Sequence, residues 1–155
     1  MILYADSDAA YLISEGAKSR IAGYFYCSNK STTEPPSPPP NAPIHVECKL
    51  LRHVVTSAAE AETAGLFLNG QKVIEIKRML HALGHSQPAT HIKTDNATAA
   101  AFVTDMLKQK RSKAWDMCYH WLSEQQDKNF FSRYWDKGIR NLADYHTKHH
   151  PPSYH

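Results

Sequence analysis

The sequence predicts one α/β domain built on a mixed sheet that helices cover. Three observations carry that expectation. The 155 residues are enough for a single core, burying roughly 70% of the surface that the unfolded chain exposes. Three strand-like segments precede residue 51 with no helix between them, and from Ser57 onward helical and strand-like segments alternate, the pattern of a sheet with helices packed on it.

Residues 2–11 open on Ile2, Leu3 and Tyr4 and read as a first strand, and the aromatic-rich segment from Lys18 to Cys27 reads as a second. Residues 28–43 hold six of the nine prolines. A segment with so few backbone donors cannot join a sheet interior, so an exposed loop biased to polyproline II is expected. Ile44, Val46, Cys48 and Leu50 then alternate with His45, Glu47 and Lys49, a third strand with one apolar face. Three consecutive strands joined by turns make an antiparallel meander. At Ser57 the pattern changes: Ser57, Ala58, Ala59 and Glu60 have capping-box spacing. Leu66, Val73, Ile76, Leu80 and Leu83 fall on one helical stripe, which Gly84 ends. Thr90 to Thr94 is a fourth strand and Asn96 to Lys108 a helix. The segment through Trp115, Tyr119 and Trp121 is a helix whose rings belong to the core. Asn129 to Trp135 is the fifth strand, and Asn141 to about Lys148 a closing helix. The domain is expected to span residues 1–148, followed by a His- and Pro-rich tail at 149–155.

An apolar fraction of 42% with 21% charged residues is ordinary globular usage, and no apolar run approaches the ~20 residues of a membrane span. Asp6 and Asp8 would interrupt the apolar region of a signal peptide, and Cys27, Cys48 and Cys118 are too scattered for a disulfide framework or a Cys-x-x-Cys metal site. An intracellular protein, cytoplasmic or nuclear, with reduced cysteines is expected. The net charge of +3 hides an asymmetry: residues 1–105 carry 9 basic and 10 acidic side chains, residues 106–155 carry 9 and 5. The basic excess includes Lys108, Lys110, Arg111 and Lys113. Such a run reads either as a solvated loop or, beside a phosphodiesterase site, as a phosphate contact that gives affinity without sequence choice.

Four acids sit at element boundaries: Asp6 in the first strand, Glu62 near the start of the long helix, Asp95 at the end of the fourth strand and Asp144 in the first turn of the last helix. In a mixed sheet, ligands collect beyond the carboxyl ends of parallel strands, where such boundaries meet. Converging carboxylates repel unless protons or hard cations neutralise them. A shared site would therefore take Mg²⁺, with Mn²⁺ as the alternative, and two such ions suit in-line phosphodiester cleavage. Each acid also has a bland reading. Asp95 and Asn96 can cap the following helix, and Asp144 can favour a helix N-terminus.

The stretches Tyr4-Ala5-Asp6-Ser7-Asp8, Ser57-Ala58-Ala59-Glu60-Ala61-Glu62, Lys93-Thr94-Asp95-Asn96 and Asn141-Leu142-Ala143-Asp144-Tyr145-His146-Thr147-Lys148 occur in this order. Together they resemble the ribonuclease H domain that ends the polyprotein of Ty1/copia-type retrotransposons, where the corresponding stretches read roughly YSDAD, SSAEAE, CDN and LADxFTK. The resemblance covers almost the whole chain. It implies a ribonuclease H-like fold, a five-stranded mixed sheet whose first three strands are antiparallel, with helices on both faces. It also implies hydrolysis of the RNA strand of RNA–DNA hybrids by two Mg²⁺ ions held on Asp6, Glu62, Asp95 and Asp144. Glu62 is preferred to Glu60, which has a task in the capping box. Asp8 shares a face with Asp6 and stands close to the site without an assigned role, and His146 is a candidate helper. A reverse transcriptase domain, absent from this chain, is the partner that the family implies; Tyr4-Ala5-Asp6-Ser7 is not its Tyr-x-Asp-Asp signature.

Two other function classes compete with the nuclease reading. One is an inactive relic or domesticated nucleic-acid-binding module of the same fold. The other is a transposase or junction resolvase of the same superfamily, acting on DNA. Zinc is disfavoured: Gly84 breaks the helix between His81 and His85, and the tail histidines have no thiolates to complete a set.

Overall fold

A computed structural model describes residues 1–14, 16–52, 54–97, 113–148, 150, 151 and 153. All but the first two residues of the expected helix of residues 96–108, and the basic residues Lys108, Lys110 and Arg111, lie outside that description, while Lys113 opens a helix by its backbone alone. The described elements are β1 (Ile2–Ser14), β2 (Lys18–Ser28), β3 (Pro43–Leu50), α1 (Ala58–Ala82), β4 (Thr90–Thr94), α2 (Lys113–Asp127), β5 (Phe131–Trp135), a 3₁₀ turn (Gly138–Arg140) and α3 (Asp144–Thr147). They form one five-stranded sheet in the order β3-β2-β1-β4-β5. β1 pairs antiparallel with β2, and β2 with β3, as the meander requires. β4 pairs parallel with both β1 and β5.

β1 is central, so both of its faces are covered and its period of two divides two kinds of chemistry. Leu3 and Ala5 point into a cluster with Phe25, Leu66, Val73, Ile76, Ile92, Leu122 and Phe131, between the sheet and the α1–α2 layer. Burying a side chain such as Leu66 there contributes about 2 kcal/mol. Tyr4, Asp6 and Asp8 point the other way, Tyr4 toward the segment that follows β2 and the two aspartates toward the chain that follows β5.

α1 has the termini its sequence promises. Ser57 Oγ accepts from Glu60 N at 3.2 Å, and Glu60 Oε2 reaches back to Thr56, accepting from its N–H at 2.6 Å and its hydroxyl at 2.7 Å. At the other end Gly84, at φ +85°, lets His85 N donate to Leu80 O and Gly84 N to His81 O, the two bonds of a Schellman stop. The stripe runs out before that stop: Leu66, Val73 and Ile76 are buried, but Leu83 is exposed.

Three other expectations are corrected. The apolar face of β3 is not a core face, because β3 is an edge strand and Ile44, Cys48 and Leu50 are exposed. The closing helix is a single turn, because Asn141 spends its side chain elsewhere: its Nδ2 donates to Ser7 O at 2.8 Å and its Oδ1 accepts from Ala143 N at 3.1 Å. The Pro-rich loop is mostly exposed, yet Pro36 is buried and the segment is tied to the sheet. Ser31 N donates to Tyr4 Oη, Tyr24 Oη to Asn41 O, and Ser28 Oγ to Pro39 O.

Candidate metal centre

Parallel pairing of β1 with β4 sets the site. Asp6 lies opposite Lys93, so Asp8 and Asp95, two residues further along each chain, emerge near the same end of the sheet. α3 brings Asp144 to that end. One carboxylate oxygen from each of Asp8, Asp95 and Asp144 lies within 4.8 Å of the other two. Glu62, on the second turn of α1, faces the same group: its Oε1 accepts from Ala9 N at 3.1 Å and its Oε2 from Thr94 Oγ1 at 3.5 Å.

Of the four acids expected from sequence, Glu62, Asp95 and Asp144 therefore come together, and the member from β1 is Asp8. Asp6, the expected member, stands two residues back along β1 with other partners in this structure. Its Oδ2 is ion-paired with Lys93 Nζ at 2.8 Å and accepts from Leu142 N at 2.9 Å. The sequence places both aspartates on one face and its resemblance selects Asp6; the C-terminal segment engages both, through Leu142 at Asp6 and Thr147 at Asp8. Glu60 is occupied at the N-terminus of α1, as the capping argument expects.

The electrostatics of the cluster are those of like charges kept from water. Burial, then the charges of Asp8 and Asp95, push the Glu62 carboxyl up to about 9. Burial pushes Asp8 up to about 6, with Asp95 and Asp144 adding to the rise and the Thr147 hydroxyl, which donates to Asp8 Oδ2, opposing it. Asp95 is raised by burial and by Asp144. The group is short of positive charge, and what it has comes from Lys148, whose ammonium pairs with Asp144 and is felt by Asp8 and Asp95. An all-oxygen donor set with this charge deficit fits a hard divalent cation such as Mg²⁺ or Mn²⁺.

Residues around the acids fix them. Trp135 Nε1 donates to the Asp95 carbonyl at 2.9 Å. Gly138 lies so close to the Asp95 carboxylate that a β-carbon there would stand 2.8 Å from Oδ2. Sequence reading assigned no role to Thr94, Thr147, Gly138 or Lys93; the only available signal was their position within one to six residues of an expected ligand. His146 is turned to stack on Tyr24, with ring centres 6.2 Å apart, and burial lowers its pKa. Trp121 packs edge-on against Phe67 at 5.0 Å, in the core as expected. Among the described residues no helix is long and apolar enough to cross a membrane.

No protein-family model matches the chain, and no curated protein matches it. Solved structures do. LC11-RNase H1, solved in complex with an RNA/DNA hybrid, aligns over 93% of this chain and 92% of its own, with a TM-score of 0.62 at 11% identity. RNase H1 of the archaeon Halobacterium salinarum aligns over 94% of both chains with a TM-score of 0.62 at 10% identity. The RNase H domain of prototype foamy virus aligns over 94% and 88%, with a TM-score of 0.55 at 15% identity. Sheet order, strand directions and these near full-length alignments together establish that the chain has a ribonuclease H-like fold.

Proposed function

We propose that this protein is a metal-dependent endonuclease that hydrolyses the RNA strand of RNA–DNA hybrids, of the type found in Ty1/copia retrotransposon polyproteins. The observation that carries the reading is the convergence of Asp8, Glu62, Asp95 and Asp144 from four separate segments onto one end of a ribonuclease H-like sheet. These four would hold two Mg²⁺ ions, with Mn²⁺ as a substitute. A bound pair of such ions supplies activation of the attacking water and neutralisation of charge on the leaving 3′-oxygen, giving 5′-phosphate and 3′-hydroxyl ends.

The chain's own residues present the ligands. Thr147 holds one oxygen of Asp8, the Ala9 N–H and Thr94 hydroxyl orient Glu62, and Gly138 leaves room for Asp95. Lys148 holds Asp144 and supplies positive charge beside Asp8 and Asp95. Lys108, Lys110, Arg111 and Lys113 contact substrate phosphates, so binding weakens steeply with salt. A reverse transcriptase domain is the proposed partner, and the proposed location is intracellular.

The test is cleavage of an end-labelled hybrid in Mg²⁺ and in Mn²⁺. Wild-type cleavage that stops in excess EDTA and is lost in Asp8→Asn and Asp95→Asn supports the proposal. Cleavage that persists in EDTA overturns the mechanism. Hybrid binding without turnover in either metal would make the protein a binding module, and cutting of duplex DNA alone would move it to the transposase and resolvase class.

A further inference from the structure

The function above leaves the Pro-rich segment and the cavity beneath it unused. Ser37 lines that cavity, of about 300 Å³, from the side of the segment, while Tyr26, Lys93, Tyr134, Asp136 and Arg140 line it from the sheet and the chain after β5. The backbone around Ser37 is pinned. Ser31 Oγ accepts from Ser37 N at 2.9 Å, and Ser28 Oγ donates to Pro39 O at 2.8 Å. Ser37 itself is exposed, and its hydroxyl has no hydrogen-bond partner among the described residues.

Ser37 and Pro38 form the one Ser-Pro or Thr-Pro pair in the sequence. A following proline biases the serine to extended backbone, the form in which a protein kinase takes its acceptor strand, and proline-directed kinases require a proline at this place. The cavity supplies what a phosphate needs. The Arg140 side chain is 61% exposed and meets Asp136 only at 3.9 Å. Such a pair contributes little, so its guanidinium is available to a phosphate, which that planar fork suits. The hydroxyls of Tyr26 and Tyr134 make no hydrogen bond among the described residues. Lys93, bonded to Asp6 and to the Arg140 carbonyl, keeps the third proton of its ammonium. Asp136 is the only acid among the lining residues.

We propose that Ser37 is a phosphorylation site for a proline-directed protein kinase, and that its phosphate docks in this cavity on Arg140, Lys93 and the two phenols. The γ-phosphoryl group of a nucleoside triphosphate passes to Ser37 Oγ. The Oγ–P bond forms as the bond from that phosphorus to the β-phosphate oxygen breaks; the serine proton goes to the kinase's base and the nucleoside diphosphate leaves. The product carries about two negative charges and three acceptor oxygens, and it ties the Pro-rich segment to the 3₁₀ turn. Gly138 of that turn lies against Asp95, so the modified side chain stands beside the metal centre. The proposal holds whether or not the chain cuts hybrid.

The test incubates the folded chain with Mg²⁺-ATP and a purified proline-directed kinase and maps the product by mass spectrometry. Wild type should take up phosphate at Ser37, and Ser37→Ala should take up none. The phosphoprotein is then titrated by ³¹P NMR. Cations and donors favour the dianion. The second pKa of the phosphate, ordinarily about 6, should therefore lie at least about 1 below its value in the same phosphoprotein unfolded in urea. Arg140→Ala removes a mostly exposed side chain and keeps the carbonyl that binds Lys93, so this variant should fold and recover about half of that difference or more. A folded chain that is not phosphorylated at Ser37 overturns the proposal. So does a phosphate that titrates alike in folded and unfolded protein, or a lowered value that Arg140→Ala leaves unchanged.

Discussion

Replacing Glu62 by Gln is expected to stabilise the metal-free protein at alkaline pH while abolishing cleavage. Glu62 has a carboxyl that titrates ordinarily near 4.5 and is pushed up to about 9 in the fold. Between these values the folded chain keeps a proton that the unfolded chain has released. Stability therefore falls as pH rises across that window, by about 1.4 kcal/mol per pH unit for one group. Two other sets of groups work at lower pH. Asp8, raised to about 6, has the same sign, and His91 and His146, lowered by burial, have the opposite one. From pH 7 to 8.5 Glu62 dominates, and wild type should lose about 2 kcal/mol, or about 4–8 °C in Tm for a chain of this size. Gln keeps an acceptor for the Ala9 N–H and has no proton to lose, so E62Q should be nearly flat over the same range. The assay is thermal melting by circular dichroism in EDTA at pH 7.0 and 8.5. Equal slopes for wild type and E62Q would refute the assignment of this carboxyl to a buried, like-charged cluster. Adding Mg²⁺ should raise the wild-type Tm more at pH 8.5 than at pH 7, because its ligands must be ionised, and should raise that of E62Q less.

Other perturbations separate the parts of the site. Gly138→Ala places a methyl group 2.8 Å from Asp95 Oδ2; the carboxylate can swing away, so Tm should change little while kcat falls about tenfold or more, as misplaced reacting groups do. Thr147→Val removes the hydroxyl that donates to Asp8 and should weaken Mg²⁺ binding by about tenfold in calorimetry. Asn69→Ala removes two buried hydrogen bonds, to Ser7 Oγ at 2.8 Å and Ala22 O at 2.9 Å. The expected loss is about 2–3 kcal/mol in urea unfolding, with Mg²⁺ affinity preserved at a temperature where the variant is folded.

Local signals in the sequence were strong where one element decides its own structure. The capping box at Ser57 and Glu60 and the left-handed Gly84 bracket α1 as expected, because both devices act within a few residues. The meander was legible too, since β1 and β2 are joined by a short connection and β3 is the next strand after the Pro-rich loop. Reading failed where a residue answered to a distant partner. The alternation of Ile44, Val46, Cys48 and Leu50 gave the period of β3 but not its edge position, which follows from the sheet order among the described residues. Asn141 reads as a helix residue until Ser7, far away in sequence, claims its side chain.

The functional site divides along the same line. The sequence alone determined that acids stand at the ends of β4 and near the starts of α1 and the last helix, and that Asp6 and Asp8 share one face of β1. Strand period and capping chemistry are short-range and sufficient for that much. Only the tertiary structure separated the two aspartates. Parallel pairing sets Lys93 opposite Asp6, and the chain after β5 delivers Leu142 to Asp6 but Thr147 to Asp8. Asp6 stands beside a buried ammonium, whereas Asp8 stands beside Asp95 and Asp144, with Lys148 as the cation that acts on it. That difference in electrostatic partner is invisible in a Tyr-Ala-Asp-Ser-Asp string, because it depends on segments far away in sequence.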